Sequence, residues 1–174
     1  WRLGGVLMQR KDYIFWASLP PGTDNLEILK NVNGLAEPLL DLRYGSAGYR
    51  KSLIQKAVRA GLSGITVFAD IRDNELNDFL VNSLPESSRI ILTSIKQYDS
   101  VKTIVAACKK RDIVTGIEVD NRGDAKRAVD AEADFLVASG NEAYGPVSEK
   151  TSLILIQELL EDLDIPLVLR GSLG

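Results

Sequence analysis

The feature that most limits what this chain can fold into is a recurring pattern, not a recurring residue. Compact apolar runs return along its length: 13–19 (YIFWASL), 38–42 (PLLDL), 64–69 (GITVFA), 89–93 (RIILT), 113–119 (IVTGIEV), 134–138 (DFLVA) and 166–169 (PLVL). They begin roughly 25 residues apart, the length of one compact βα unit. Several are apolar on both faces, as parallel strands buried between two layers must be.

Helical periodicity fills the intervals. Tyr49, Leu53, Ile54, Ala57 and Val58 share a face, and Gly61 follows as a stop. Ser100 is placed to cap a stripe of Val101, Ile104, Val105 and Cys108, with Lys109, Lys110 and Arg111 at the negative end of the dipole. Ala125, Ala128 and Val129 form a narrower stripe. Leu153, Ile156, Leu159, Leu160 and Leu163 are expected on one face of a last helix, opened by Thr151 or Ser152. Segments 25–35 and 74–84 read as shorter helices.

Strict strand–helix alternation predicts an α/β fold with a parallel sheet and right-handed crossovers. An open doubly wound sheet and a closed eight-unit TIM-barrel-like (β/α)8 fold both satisfy it. Near-equal units, with no long excursion where an open sheet reverses direction, favour the barrel. About seven βα units are present, so the expectation is an incomplete barrel over 13–174 whose remainder is absent or supplied elsewhere. Residues 1–12 are expected to be an extension or linker, and the opening Trp1 suggests a piece of a longer polypeptide.

Composition closes several routes. The chain contains no histidine, which excludes an imidazole base or imidazole metal ligand within it. A single cysteine, Cys108, excludes an internal disulfide and a cysteine metal cage, and its apolar stripe predicts an inert buried thiol. A net charge of −3 gives no electrostatic reason to expect nucleic acid. No apolar run is long enough to span a membrane and no leader is readable, so a cytoplasmic protein is expected.

In parallel α/β folds ligands bind at the carboxyl ends of the strands. The residues leaving each run are Ser18 and Pro20; Arg43 and Tyr44; Asp70 and Arg72; Thr93, Ser94 and Lys96; Asp120 and Asn121; 139–145; and 170–174. Asp70, Glu118 and Asp120 could supply carboxylate acid–base chemistry or bind Mg²⁺, although acidic residues here serve more simply as helix N-caps. Lys96 lies past its strand and reads as a solvated loop lysine, not a Schiff-base former. Trp16 reads as core or barrel floor. Asp41, if turned inward, needs a partner, and Arg43 is one option.

The last two loops carry most information. In SGNEAYGPVSEKTS (139–152) two glycines among small polar residues let backbone amides approach an anion or a planar ring, or simply supply turns. RGSLG (170–174) has the makings of a phosphate loop, with Arg170 adding charge. Together, 140–174 resembles the segment from the sixth to the seventh strand in the nitronate monooxygenase (2-nitropropane dioxygenase) family of FMN-dependent barrels. That family carries Gly-x-Glu-Ala-Gly-Gly-His-x-Gly and then a Gly-Gly-Ile-Gly type loop. Gly140, Glu142, Ala143 and Gly145 match the first, and Gly171 and Gly174 the second. The flanking residues look closest to the version fused to polyketide synthases.

The resemblance implies FMN held by Gly140, Asn141, Glu142, Gly145, Gly171, Ser172 and Gly174. It also implies a small or carrier-bound acyl substrate, and as partners the remaining domains of a synthase and an acyl carrier protein. Three departures qualify it. Pro146 stands where the family has its catalytic His and has neither a proton to exchange nor an amide N–H. Tyr144 replaces a glycine, and Ser172 another. Nitronate oxidation is therefore not implied, no catalytic residue is assigned, and the alternative is an inactive barrel with a structural or docking role in the multienzyme.

Overall fold

Each apolar run becomes a strand in the computed structural model, which describes residues 16–18, 31, 37–60, 65–93, 98–143 and 148–170. The strands are β1 (Trp16–Ser18), β2 (Glu37–Asp41), β3 (Thr66–Asp70), β4 (Arg89–Thr93), β5 (Val114–Val119), β6 (Phe135–Ser139) and β7 (Leu167–Arg170). Among the described residues, five helices lie between β2 and β7: α1 (Ala47–Arg59), α2 (Asn74–Ser83), α3 (Tyr98–Lys109), α4 (Arg122–Asp130) and α5 (Ser152–Asp162). The expected segments 1–12 and 25–35, and the stop at Gly61, lie outside the described residues, apart from helical Asn31.

All seven strands form one sheet in the order β1-β2-β3-β4-β5-β6-β7, and every neighbouring pair is parallel. A doubly wound sheet would reverse that order at a switch point. Among the described residues, α1 packs on α2, α2 on α3 and α4 on α5, as crossovers on one side of a sequentially ordered sheet do. The fold is TIM-barrel-like and incomplete, as the repeat predicts.

Two apolar clusters divide the strands by face. The larger, between sheet and helices, includes Leu40, Val67, Ala69, Ile90, Leu92, Ile117, Val119, Leu136 and Ala138. The smaller lies on the opposite face: Leu39, Phe68, Ile91, Phe135 and Val137, with Trp16, Val114 and Val168 packed against it. Alternation along each pleated strand sends odd and even positions to different cores, which is why the runs read as apolar throughout. Trp16 lies 5.9 Å from Phe135, ring to ring, and fills the floor of the inner core. Gly116 lies directly beneath Phe135, and a Cβ there would overlap the ring.

Helix caps follow the local sequence. Ser46, Asp73, Asn121 and Thr151 each accept a hydrogen bond from the backbone three residues on. Ser100 does not cap α3: that helix begins at Tyr98, with Asp99 in its first turn to complement the dipole. The face of α5 also differs from expectation. Leu153 and Leu160 are 61% and 62% exposed, while Ser152, Leu155 and Leu159 are buried. Those three recur at i, i+3 and i+7, so the helix is turned to bring Ser152 against the strand ends.

The Gly116→Val variant should lose about 1–3 kcal/mol or more of unfolding free energy, because the Phe135 ring has no room to yield inside the inner core. Urea denaturation followed by far-UV circular dichroism checks this.

Candidate functional site

Charged residues gather where the inner core reaches the carboxyl ends of the strands. Asp41 ends β2, and Arg43 folds back onto it: Nε donates to Oδ1 at 2.8 Å and Nη2 to Oδ2 at 2.5 Å. The pairing that Asp41 required is therefore made. The Arg43 guanidinium lies 4.7 Å from the Phe68 ring centre and 5.6 Å from that of Tyr44. Its Nη1 points across to Glu118 of β5, 3.7 Å from Oε2. Glu118 Oε1 accepts from the Ser139 hydroxyl at 2.6 Å and also from Arg170 Nη1 at the end of β7. Arg170 in turn lies 5.1 Å from the same Phe68 ring.

These contacts measure the curvature of the sheet. Phe68 is on β3 and Arg170 on β7, four strands away. In a flat sheet that separation is ~19 Å, from about 4.8 Å per strand. One aromatic ring under guanidiniums from both β2 and β7 requires the sheet to curl round on itself. Two positive and two negative side chains thereby meet at the barrel mouth, each between 6% and 19% exposed. Burial works against the charge on Arg43, yet its hydrogen bonds to Asp41 and the charges of Asp41 and Glu118 outweigh that cost and raise its pKa. Its buried Nη1 makes the ion pair with Glu118 and no hydrogen bond among the described residues.

The loop after β6 is organised by Ser152. Its hydroxyl accepts from Gly140 N–H at 2.9 Å and donates to the Arg170 carbonyl at 2.9 Å, tying the ends of β6 and β7 to the start of α5. A Cβ on Gly140 would overlap Ser152 itself, so the glycine is needed for this close approach. Glu142 turns its carboxylate onto the helix, accepting from Ser152 N–H at 2.8 Å. Hydrogen bonding from Ser152, then from its own backbone, holds the Glu142 carboxyl below the usual range. Asn141 N–H donates to the Lys150 carbonyl, while its side chain stays exposed. The remaining expected cofactor residues, Gly145, Gly171, Ser172 and Gly174, lie outside the described residues, as do Tyr144, Pro146, Pro20, Ser94 and Lys96.

Other candidates have local roles. Asp70 forks onto Arg72, with Oδ1 also accepting from Arg72 N–H, and Asp120 accepts from the Asn121 amide. Of the three carboxylates singled out from sequence, Glu118 joins the mouth network. Buried Thr93 donates to the Ala69 carbonyl. Burial pushes the Cys108 thiol up, in keeping with an inert core cysteine. A groove of about 710 Å³ lies where the loops leaving β5 and β6 enter α4 and α5, bordered by Asp120, Asn121, Ser148, Lys150 and Glu158. Among the described residues no cluster of three metal-ligating side chains forms, and no helix is long and apolar enough to cross a membrane.

Sequence reading offered Arg43 as a partner for Asp41 and named Glu118, Ser139 and Arg170 separately, but did not join these to that pair. The usable signal was alternation: Ile117 and Val119 face the helices, so Glu118 between them must face inward.

A parallel, sequentially ordered βα barrel with an ion-paired mouth is the class of structure that these observations define. No protein-family model and no curated protein matches the sequence. Solved structures do match the fold. FabK from Thermotoga maritima superposes with a TM-score of 0.71 at 15% identity, over 90% of this chain and 49% of that one. Nitroalkane oxidase from Streptomyces ansochromogenes gives 0.66 at 16% identity, over 90% and 57%. A putative fructose-1,6-bisphosphate aldolase from Coccidioides immitis gives 0.61 at 19%, over 91% and 68%. At these identities the likeness is one of fold. The chain spans about half the length of FabK.

Two outcomes follow. Ser152→Ala should cost about 1–3 kcal/mol, since Gly140 N–H and the Arg170 carbonyl both lose their partner; chemical denaturation reads this. Because the Glu142 carboxyl is depressed in the fold, its contribution is present above the ordinary value of about 4.3 and disappears as pH falls through the lower folded value. Glu142→Gln should therefore flatten the acid limb of the urea-midpoint-versus-pH curve and leave the neutral limb parallel to that of the parent.

Proposed function

We propose that this chain forms most of a flavin-barrel oxidoreductase domain, with FMN at the carboxyl ends of the strands. The observation that carries the reading is the barrel mouth: Arg43 and Arg170 converge over Phe68, and Arg43 keeps a buried donor with no hydrogen bond among the described residues. A cationic donor at that place fits the electron-rich edge of a flavin, where positive charge tunes the ring. The likeness of fold to a nitroalkane oxidase and the resemblance of 140–174 to nitronate monooxygenases support it.

FMN, if bound there, would supply two-electron redox chemistry. The chain's own residues do the rest. Arg43 supplies fixed positive charge, Asp41 and Glu118 hold that guanidinium in place, and Phe68 supports it from below. Gly171, Ser172 and Gly174 would hold the phosphate, and the exposed Asn141 side chain and Gly145 would complete the rim. Gly140 and Glu142 act through Ser152, fixing where the loop runs. No lysine occupies any of the seven strands, which speaks against a Schiff-base aldolase. The proposed substrate is a small or carrier-bound acyl group, with an acyl carrier protein and other synthase domains as partners in a cytoplasmic multienzyme.

A second reading has one observation in its favour. Among the described residues the mouth network pairs two positive with two negative side chains, and with Pro146 at the family's His position this suits a silent barrel that docks or spaces other domains of a polyketide synthase-like assembly. Titrating FMN into the purified protein decides between them. Saturable quenching of flavin fluorescence, weakened about tenfold or more by Arg170→Gln, is expected. A protein that takes up no FMN overturns the flavin reading.

A further inference from the structure

One flank of α5 is apolar and uncovered. Five large apolar side chains are exposed among the described residues, and three of them, Leu153, Ile154 and Leu160, belong to this helix. Val58 and Val129 stand singly on α1 and α4, as scattered surface apolar residues commonly do. Leu153 and Leu160 are seven residues apart and share a face, with half-buried Ile156 between them. Asp162, two positions beyond Leu160 and so about 200° round the helix, ion-pairs with Arg122 of α4. The apolar flank therefore faces away from α4, toward β7. No further strand pairs with β7 among the described residues, and its four residues are half-buried where those of β6 are buried.

The same helix ends in uncompensated negative charge. α1, α3 and α4 carry a base in the last turn, as the dipole favours, and α5 carries none. Glu161 and Asp162 fall in that turn instead, and Asp164 follows just beyond it. Arg122 answers Asp162, whereas Glu161 and Asp164 are exposed and make no ion pair among the described residues. A covering element must thus supply an apolar stripe and, near the carboxyl end of α5, positive charge. A second copy of the flank offers the stripe without the charge, since α5 contains no basic residue. An anionic bilayer would repel both acids. We propose that the α5 flank beside the β7 edge docks a basic amphipathic helix of a partner protein. Its leucine-type stripe covers Leu153, Ile156 and Leu160, and its lysines or arginines meet Glu161 and Asp164.

This surface does not involve FMN, so its test is separate from that of the flavin reading. The probe is a helical peptide of about 18 residues with leucine at i, i+3, i+4 and i+7 and lysine at the margins; its control carries glutamate in place of each lysine. Both are titrated into the intact protein bearing 13C-methyl leucine and isoleucine, at about 150 mM salt so that diffuse attraction is screened. The lysine peptide should move the Leu153 and Leu160 methyl resonances saturably and bind at least about tenfold more tightly than its control. The Glu161→Lys, Asp164→Lys double variant should remove that preference. Leu160→Gln, at an exposed position that spares the fold, should weaken binding about tenfold or more. No binding, equal binding of the two peptides, or unmoved Leu153 and Leu160 methyls overturns the proposal. So does a dimer of the free protein that Leu160→Gln dissolves in sedimentation, which assigns the flank to a second copy. Leu160-dependent binding to phosphatidylcholine vesicles overturns it as well, assigning the flank to a lipid surface.

Discussion

The Phe68 ring with the Arg43 and Arg170 guanidiniums over it is the contact on which the architecture turns. It joins strands that a flat sheet would keep far apart, and Glu118 ties the same two guanidiniums from a third direction. Charges so enclosed are costly to bury singly and tolerable only as a set. The network therefore specifies curvature: relaxing the curl would separate the charges and expose the inner apolar core beneath them. Asp41, which fixes Arg43 before it reaches across, makes the arrangement rigid from the β2 side.

A second constraint works at the ends of β6 and β7. Ser152 binds the backbone of both strands, and the start of α5 is drawn so close that only glycine is accommodated at position 140. This sets the rotation of α5 and turns Leu153 and Leu160 outward. A glycine and an acidic residue that look like ligand-binding elements in the sequence are used here to seat a helix. The ionic network of the mouth is built from side chains at the ends of β2, β5, β6 and β7.

Most of the fold was legible in the chain. Strand positions, their parallel pairing and the barrel-like order follow from apolar runs at regular intervals, and the cap at Thr151 follows from local hydrogen bonding. By contrast, α2 and α4 are capped by Asp73 and Asn121 and not by the expected Asp70 and Asp120. The start of α3 and the face of α5 were less legible. The first turns on how the chain enters the helix, and the second on a tertiary hydrogen bond that overrides the leucine pattern. The candidate site was legible in its parts. Asp41 with Arg43 is a short-range pair, two residues apart, and so within reach of sequence reasoning; Arg170 with Glu118 spans 52 residues and is not.

What the sequence determined by itself is the repeating unit, because spacing and hydrophobic pattern act locally and need no knowledge of where other segments lie. It also determined the absence of imidazole chemistry, since no fold can supply a side chain the chain lacks. What only the tertiary structure decided is which charged residues meet. Inward and outward faces alternate every residue, and the curl of the sheet brings together strands remote in sequence. Whether Glu118 would be a solvated acid or the centre of a buried network thus depended on the curl of the whole sheet.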